Sequence, residues 1–446
     1  MPLQTAVRRL SVPSVQPMRR DEEVARSGLG TGRSRPSFPR LRRGGCYHES
    51  MKPIPKDSET FTEVHRALAL ARHAEHMAER TFVRNPMLVI SAIAALVTMA
   101  FVPPSPAYLS YIDWHTIICL FCILAVLEAI DSSGFLEFMA HSIVERVSNT
   151  RALVFALVTV TLGCSMVLSN DMTLVTVLPL ALLLLKSVHR EKRVPFVFIM
   201  ITLTANLGGM LLPFGNPHNL YLYSVFNVDF GQFVLTMAPP LIFSMALIYA
   251  CCATVHPGEF HYKKPDEIRI PRHRVELYLV LFGICIAMTV NAISYVVGAL
   301  VIVVALAIVD RDVFTKTDYS LILTFVCFFV MSGNVAQIGA VASFLNWLMQ
   351  VLGVFPTALI SSQVISNVPS AILLSHFTEN WAAVALGTNI GAVGTPISSM
   401  ATLITLRQYQ KSGLGSMSRF VGKFEVYNFI FLGVVAAFEM LAVGMR

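Results

Sequence analysis

Residues 161–180 read TLGCSMVLSNDMTLVTVLPL. They lie inside an apolar stretch, 152–185, whose one strongly polar interruption is Ser169-Asn170-Asp171 at its centre. Arg146 and Arg151 precede the stretch, and Lys186 to Arg193 follow it. Lys and Arg accumulate on the cytoplasmic side of membrane segments, so the chain must return to the side it left. The stretch therefore reads as a re-entrant helical hairpin with Ser-Asn-Asp at its tip. Irregular backbone deep in a bilayer survives only where it is buried in protein or lines a wet cavity, so the tip should face a binding site.

The rest of the chain requires the same solvent. It is 55% apolar and 14% charged over 446 residues, too greasy for an ordinary soluble protein of that size. From Met87 onward, apolar runs able to cross about 30 Å of hydrocarbon recur between short polar loops. Further basic groups fall at Lys263 to Arg274, at Arg311 and Lys316, and at Arg407 to Lys423. The loops 104–113, 227–230, 334–355 and 374–380 contain no Lys or Arg and are placed outside. Residues 354–376 mirror the first hairpin, with Lys/Arg-free flanks and Ser366-Asn367-Val368-Pro369 in the middle, so a second hairpin enters from outside. This scheme puts the N-terminus in the cytoplasm and the C-terminus outside, in an inner (plasma) membrane.

Residues 1–85 hold 16 Lys/Arg against 9 Asp/Glu, which leaves 18 of each for the remainder and assigns the net charge of +7 to the tail. Residues 1–56 are rich in Arg, Ser and Pro and poor in large apolar residues, which reads as a disordered basic cytoplasmic tail drawn to anionic lipid rather than to nucleic acid. A transit peptide competes with that reading through Arg8, Arg9, Arg19 and Arg20, but Asp21, Glu22 and Glu23 oppose it. Over 57–84, Thr60 and Glu63 form a capping box, and Phe61, Val64, Leu68 and Ala71 follow at helical spacing. An interfacial amphipathic helix is expected there, and a solvated charged helix is the alternative. Most of the eight cysteines lie within apolar runs, so they read as small core residues and no metal site is expected.

Three features recur in order in the two halves. Asp113-Trp114 with Gly134 matches Asp318-Tyr319 with Gly339; the tip Ser169-Asn170 matches Ser366-Asn367; and Asn206, Gly208, Pro213 and Leu220 match Asn389, Gly391, Pro396 and Leu403 at equal spacing. Opposite expected orientations make these inverted-topology repeats, a device of secondary transporters. The expected fold is an all-α polytopic membrane protein with two re-entrant hairpins and two broken transmembrane helices. Its membrane domain covers 85–446, with repeat one at about 113–226 and repeat two at about 318–410. The segments 195–226 and 379–406 start as spans and break at Gly, Pro and Asn, which aims half-helix ends at a substrate. Gly208, Gly209, Gly391 and Gly394 could alternatively serve close helix packing.

At these residues the sequence resembles the ion transporter superfamily that includes arsenite permeases, citrate-type carriers, sodium/proton antiporters and divalent anion/sodium symporters. The resemblance rests on Ser169-Asn170-Asp171 with Pro179, on Gly208-Gly209 through Pro213 to Leu220, on Ser366 to Pro369 and on Thr388 to Pro396. It implies an elevator-like homodimeric carrier of a small inorganic or organic anion. It also implies that Ser169, Asn170, Ser366 and Asn367 contact substrate or coupling ion, with Asn206, Gly208, Gly209, Asn389 and Gly391 nearby and Asn216, Asn219, Thr395 and Thr402 completing the cavity. Two features depart from the symporter pattern: the third tip positions are Asp171 and Val368 where Ser-Asn-Thr is usual, and His218 replaces a proline. The Asn-Asp form is closer to the arsenite-permease and antiporter side.

An acid at membrane depth costs at least a few kcal/mol on insertion scales, so Asp171 is assigned the coupling ion, proton or sodium, against the alternative of a helix cap. No other cofactor is expected. Glu128, Asp131, Glu137 and His141 read as interfacial, His376 and Glu379 as a loop pair that could gate or sense pH, and Asp113 and Asp318 as helix caps. The sequence lacks His-Glu-x-x-His and Gly-x-Ser-x-Gly, which argues against an embedded enzyme. A sodium/proton antiporter and, more distantly, a channel stay open beside the anion carrier.

Overall fold

Proline near helix starts, apolar runs without the period-2 alternation of strands, and Gly, Asn or Ser at the ends give the described part of this chain helices throughout. The computed structural model describes residues 86–135, 138, 147, 149–259 and 271–444, all within one compact unit of the chain. The expected tail and the 57–84 helix lie outside the described residues, as do Glu137, His141 and Arg146. Among the described residues β pairing is limited to one isolated bridge, Asn149 to Glu259.

The first helices are α1 (Pro86–Met99), the single turn α2 (Tyr108–Tyr111) and α3 (Trp114–Ser132). A helix–break–helix pair follows, α4 (Thr150–Val167) and α5 (Asn170–Ser187), then the interrupted helix α6 (Val194–Gly208) and α7 (Pro217–Val225), and α8 (Phe230–Ala253). The second half runs α9 (Arg272–Thr289), α10 (Tyr295–Val309), the turn α11 (Val313–Lys316), α12 (Tyr319–Gln337) and α13 (Gly339–Leu352). It closes with the pair α14 (Val354–Ile365) and α15 (Asn367–Leu374), the interrupted helix α16 (Trp381–Ile390) and α17 (Met400–Ser412), and α18 (Met417–Gly444). Five of the described helices, α3, α4, α8, α12 and α18, are long and apolar enough to cross a bilayer.

Helix α6 lies at the centre: Val197, Phe198, Met200, Ile201 and Leu203 are all fully buried, and α4, α5, α8 and α17 pack around it. Helix α16 packs on α14, α15 on α12 and α7, and α12 on α1. The outer faces are apolar instead of charged, with Ile93 and Leu96 on α1, Leu300 and Ile308 on α10 and Ile430 and Leu441 on α18 standing exposed. Such faces suit hydrocarbon or a partner surface.

Both helix pairs break at the Ser-Asn positions expected to be tips, and in each pair the two arms pack on one another. Their sizes differ. The first pair has two arms of 18 residues, and the second has arms of 12 and 8. At 1.5 Å per residue that is about 27 Å for each arm of the first, against about 18 and 12 Å for the second. The long pair and the short one follow the apolar stretches read from the sequence, since 152–185 is longer than 354–376.

One close backbone approach in this packing is between α14 and α16. A methyl on Gly387 would fall 2.6 Å from both Ala358 Cβ and the Phe355 carbonyl oxygen, whereas one on Gly433 meets nothing within 4 Å. Gly387→Ala is expected to cost about 1–3 kcal/mol by overpacking. Thermal unfolding of the detergent-solubilised protein should show a lowered midpoint for this variant and an unchanged or slightly raised one for Gly433→Ala; equal midpoints would show that the α14–α16 contact yields freely.

Candidate functional site

The two interruptions are built from the residues that stop their helices. Helix α6 ends on Gly208 and Gly209, and α7 restarts with Asn216 at its N-cap and Pro217 at its first position, where a missing N–H costs nothing. Between them the backbone folds back on itself: a Cβ on Gly215 would lie 2.5 Å from the Gly209 carbonyl oxygen. Helix α16 ends at Ile390, and α17 restarts behind Ser399, whose hydroxyl accepts from the Ala401 N–H at 3.2 Å. The free backbone of this second break is held by one side chain of α14. Gln363 Nε2 donates to the Gly391 and Val393 carbonyls at 2.7 and 3.2 Å, and its Oε1 accepts from the Thr395 N–H at 2.9 Å. Gly394, at φ +131°, leaves room for that amide.

Asparagines tie the two breaks together. Asn206 Oδ1 accepts from Asn170 Nδ2 at 3.1 Å and from Ser399 Oγ at 3.0 Å. Asn389 Oδ1 accepts from Asn216 Nδ2 at 3.0 Å, and Asn389 Nδ2 donates to Asn219 Oδ1 at 2.6 Å. Asn216 stands ten residues after Asn206, and Ser399 ten after Asn389. Each break thus bonds, through its Asn, the residue that restarts the helix in the other half. All six of these side chains are buried.

Both tips reach this framework. Ser169 caps α5, its hydroxyl accepting from the Met172 N–H at 3.4 Å, so the capping role does not fall to Asp171. Asp171 sits in the first turn with its Oδ1 buried and without a hydrogen-bond partner. At the second tip Ser366 has φ +78°, a left-handed conformation costly for any residue with a Cβ. It is held there by bonds to one carbonyl: Ser366 Oγ and the Asn367 N–H both donate to Ser398 O, at 3.2 and 3.0 Å.

Between the tips lies a cavity of about 30 Å³, walled by Asn170, Asp171, Asn216, His218, Ser366, Asn367 and Ser399 and closed by Thr324, Phe325 and Phe328 of α12. That volume holds about one water or one bare ion. Three wall residues carry buried polar atoms without a partner: Asp171 Oδ1, Asn216 Oδ1 and both ring nitrogens of His218. The Asn216 oxygen accepts, and so does the Asp171 oxygen when its carboxyl is ionised, so a donor or a cation would complete them.

Of the residues expected at the site, Asn170, Asp171, Asn216, Ser366 and Asn367 come together on this wall. Ser169, Asn206, Gly208, Gly209, Asn219, Asn389, Gly391 and Thr395 stand behind it and shape it. Thr402 is buried on α17 with its hydroxyl unpartnered and is not on the wall. Sequence reasoning missed Ser399 and Gln363 and noted His218 only as a departure. Ser399 was detectable, since it occupies the second-half position equivalent to Asn216. Elsewhere, Asp318 caps α12, whereas Asp113 makes no backbone cap bond and accepts from the Thr116 hydroxyl instead, a correction to its expected role. Glu128 accepts from Ser132 and Asp131 from Thr176, and His376 and Glu379 are exposed.

Comparison with known proteins shows what this chain is similar to. A family model described as "Citrate transporter" matches residues 77–383. The chain is 31% identical over 304 residues to the uncharacterized transporter MJ0456 of Methanocaldococcus jannaschii, covering 66% of this chain and 81% of that protein. It is 30% identical over 315 residues to the inner membrane protein YbiR of Escherichia coli, covering 69% and 83% respectively. Among solved structures, the YdaH transporter of Alcanivorax borkumensis aligns with a TM-score of 0.47 and 14% identity, over 76% of this chain and 88% of that one.

The asparagine cross-links make Asn389 the most consequential polar residue of the site. Asn389→Ala strands the amides of Asn216 and Asn219 in a dry interior, at an expected cost on the order of 3 kcal/mol. A lowered thermal midpoint in detergent checks this; an unchanged midpoint would show that the two breaks are held by apolar packing alone.

Proposed function

This chain belongs to the citrate transporter family and is a membrane transport protein rather than an enzyme, and from that premise we propose that it is a secondary active carrier that moves a small anion, an oxyanion such as arsenite or a carboxylate, across the inner membrane in exchange for the energy of a sodium or proton gradient. Asp171 binds the coupling cation. The observation that carries this reading is the small cavity shared by both Ser-Asn tips, whose unpartnered wall oxygens are Asp171 Oδ1 and Asn216 Oδ1. Hard cations take oxygen ligands, and a carboxylate supplies the charge that an ion needs away from water.

The size of the cavity divides the roles. At about 30 Å³ it suits a bare ion and is far too small for a tricarboxylate. The anion therefore binds when the tips part, using the Ser366 hydroxyl, the Asn367 amide and the backbone of the two breaks. Arm lengths support tips that enter from opposite sides: about 27 Å from one and about 18 Å from the other add to roughly the thickness of a whole bilayer, headgroups included. A site at such a meeting point is exposed to either side by movement of the tips and broken helices against a fixed scaffold, which is an elevator-like cycle in a homodimer.

One observation favours a second reading. The carboxylate and amide oxygens left open on the wall are acceptors, which also suits sodium/proton exchange without an anion.

Proteoliposomes separate the readings. Fluxes of arsenite, citrate, succinate and sulfate are measured with and without sodium and proton gradients, for wild type and Asp171→Asn. The expected outcome is gradient-driven movement of one anion, with coupling reduced at least roughly tenfold in the variant, a loss of about 1.4 kcal/mol. Sodium/proton exchange with no anion flux would establish the antiporter, and wild-type coupling in Asp171→Asn would reduce Asp171 to a favourable charge at a helix N-terminus.

A further inference from the structure

Two basic groups far apart in sequence meet in the fold. The turn Glu191–Arg193 leads into α6, and the link between α17 and α18 folds against it. That link can bend because Gly413 and Gly415 take φ +67° and +82°, and the Tyr409 hydroxyl donates to the Leu414 carbonyl across it. Two adjoining cavities result, of about 370 and 350 Å³, which share Lys192, Pro195 and Lys423.

The first cavity adds Arg419 and the face formed by the stacked rings of Tyr409 and Phe420, whose centroids are 3.8 Å apart. The second adds Arg193 and an apolar wall of Phe196, Ile199 and Tyr427 running between α6 and α18. Four cations, Lys192, Arg193, Arg419 and Lys423, face these cavities against one lining acid, Glu191. Among the described residues none of the four lies within ion-pair distance of a carboxylate or donates a side-chain hydrogen bond. Solvated Lys and Arg at the end of a membrane helix need no concave surface, no aromatic floor and no apolar channel beside them. This arrangement supplies all three.

We propose that the paired cavities form one binding site for an anionic phospholipid. Its phosphate lies between Lys192, Arg419 and Lys423, where the uncompensated charge is densest, and an acyl chain leaves along Phe196, Ile199 and Tyr427. A free phosphate shares the headgroup chemistry but leaves the apolar cavity unused, which is why the lipid is the favoured source. The site is separate from the transport cavity and does not depend on what that cavity carries. It does touch transport mechanically, since it grips the start of α6, the helix that bears Asn206 at its other end.

Native mass spectrometry of the full chain in detergent tests this, with phosphatidylglycerol, phosphatidylcholine and inorganic phosphate as probes. The first phosphatidylglycerol is expected to bind at least tenfold more tightly than phosphatidylcholine. Each cation near an anionic headgroup contributes roughly fivefold, so Lys192→Gln/Arg419→Gln/Lys423→Gln should lose about 100-fold. Arg407→Gln/Lys411→Gln, which removes charge from exposed α17 residues that do not line the cavities, should bind as wild type. If the triple variant fails to fold, Arg419→Gln alone should show the roughly fivefold loss. Equal binding of the two lipids, wild-type binding by the cavity variants, or an equal loss in the α17 control would overturn the proposal. Displacement of phosphatidylglycerol by an equal concentration of inorganic phosphate would overturn it too, by making this a free-anion site.

Discussion

The bonds that join Asn206 to Ser399 and Asn389 to Asn216 hold the centre of this protein together. A helix interrupted in a dry interior leaves N–H and C=O groups without partners, and each such group costs about 1–3 kcal/mol. Two interruptions placed back to back offset much of this cost for each other. The Asn that ends one helix accepts a bond from the residue that restarts the other, and Gln363 satisfies carbonyls and an N–H of the second break. Everything else at the site depends on this frame: the tips lean on it through Asn170 and through the Ser398 carbonyl, and α12 closes the space that remains.

The frame is not fully satisfied, and its exceptions are concentrated. Asn206 Nδ2, Asn216 Oδ1, Asp171 Oδ1, Thr402 Oγ1 and the His218 ring are buried polar atoms without partners near the breaks and tips. A native interior ordinarily pairs more than nine in ten of its buried polar groups, so such a cluster marks a place where stability has been traded for an open valence. Ser366 belongs to the same pattern, since its left-handed backbone is imposed by its surroundings. The second tip is tied to the second break through main-chain groups, while the first is tied to the first break by the single Asn170–Asn206 bond. The two tips therefore have unequal holds on one frame.

Much of this was legible in order along the chain. A polar triplet inside a long apolar stretch, with basic residues at both ends, marks a break whatever surrounds it, and helices do stop at Ser169 and Ser366. Gly-Gly and Gly-Ala-Val-Gly runs within spans mark the other two breaks, because a helix without side-chain support fails there first. The unequal length of the two pairs was legible as well, since the apolar stretch 152–185 is longer than 354–376. Gln363 was invisible: a lone polar residue on an apolar helix acquires meaning only from the carbonyls that another segment brings to it.

By itself the sequence determined the solvent, the helical class and the positions of the breaks, since all of these follow from local composition and short spacings that hold in any arrangement of the helices, and the motifs at the breaks carried the resemblance to the family. The tertiary structure decided which polar atoms meet. It set Asn206 against Ser399 and Asn389 against Asn216, left Asp171 and His218 on the same small cavity, and gathered Lys192, Arg419 and Lys423 around another. Those pairings join residues that lie far apart in the chain, and a hydrogen bond reaches only about 3 Å, so they exist only once packing has fixed the helices relative to one another.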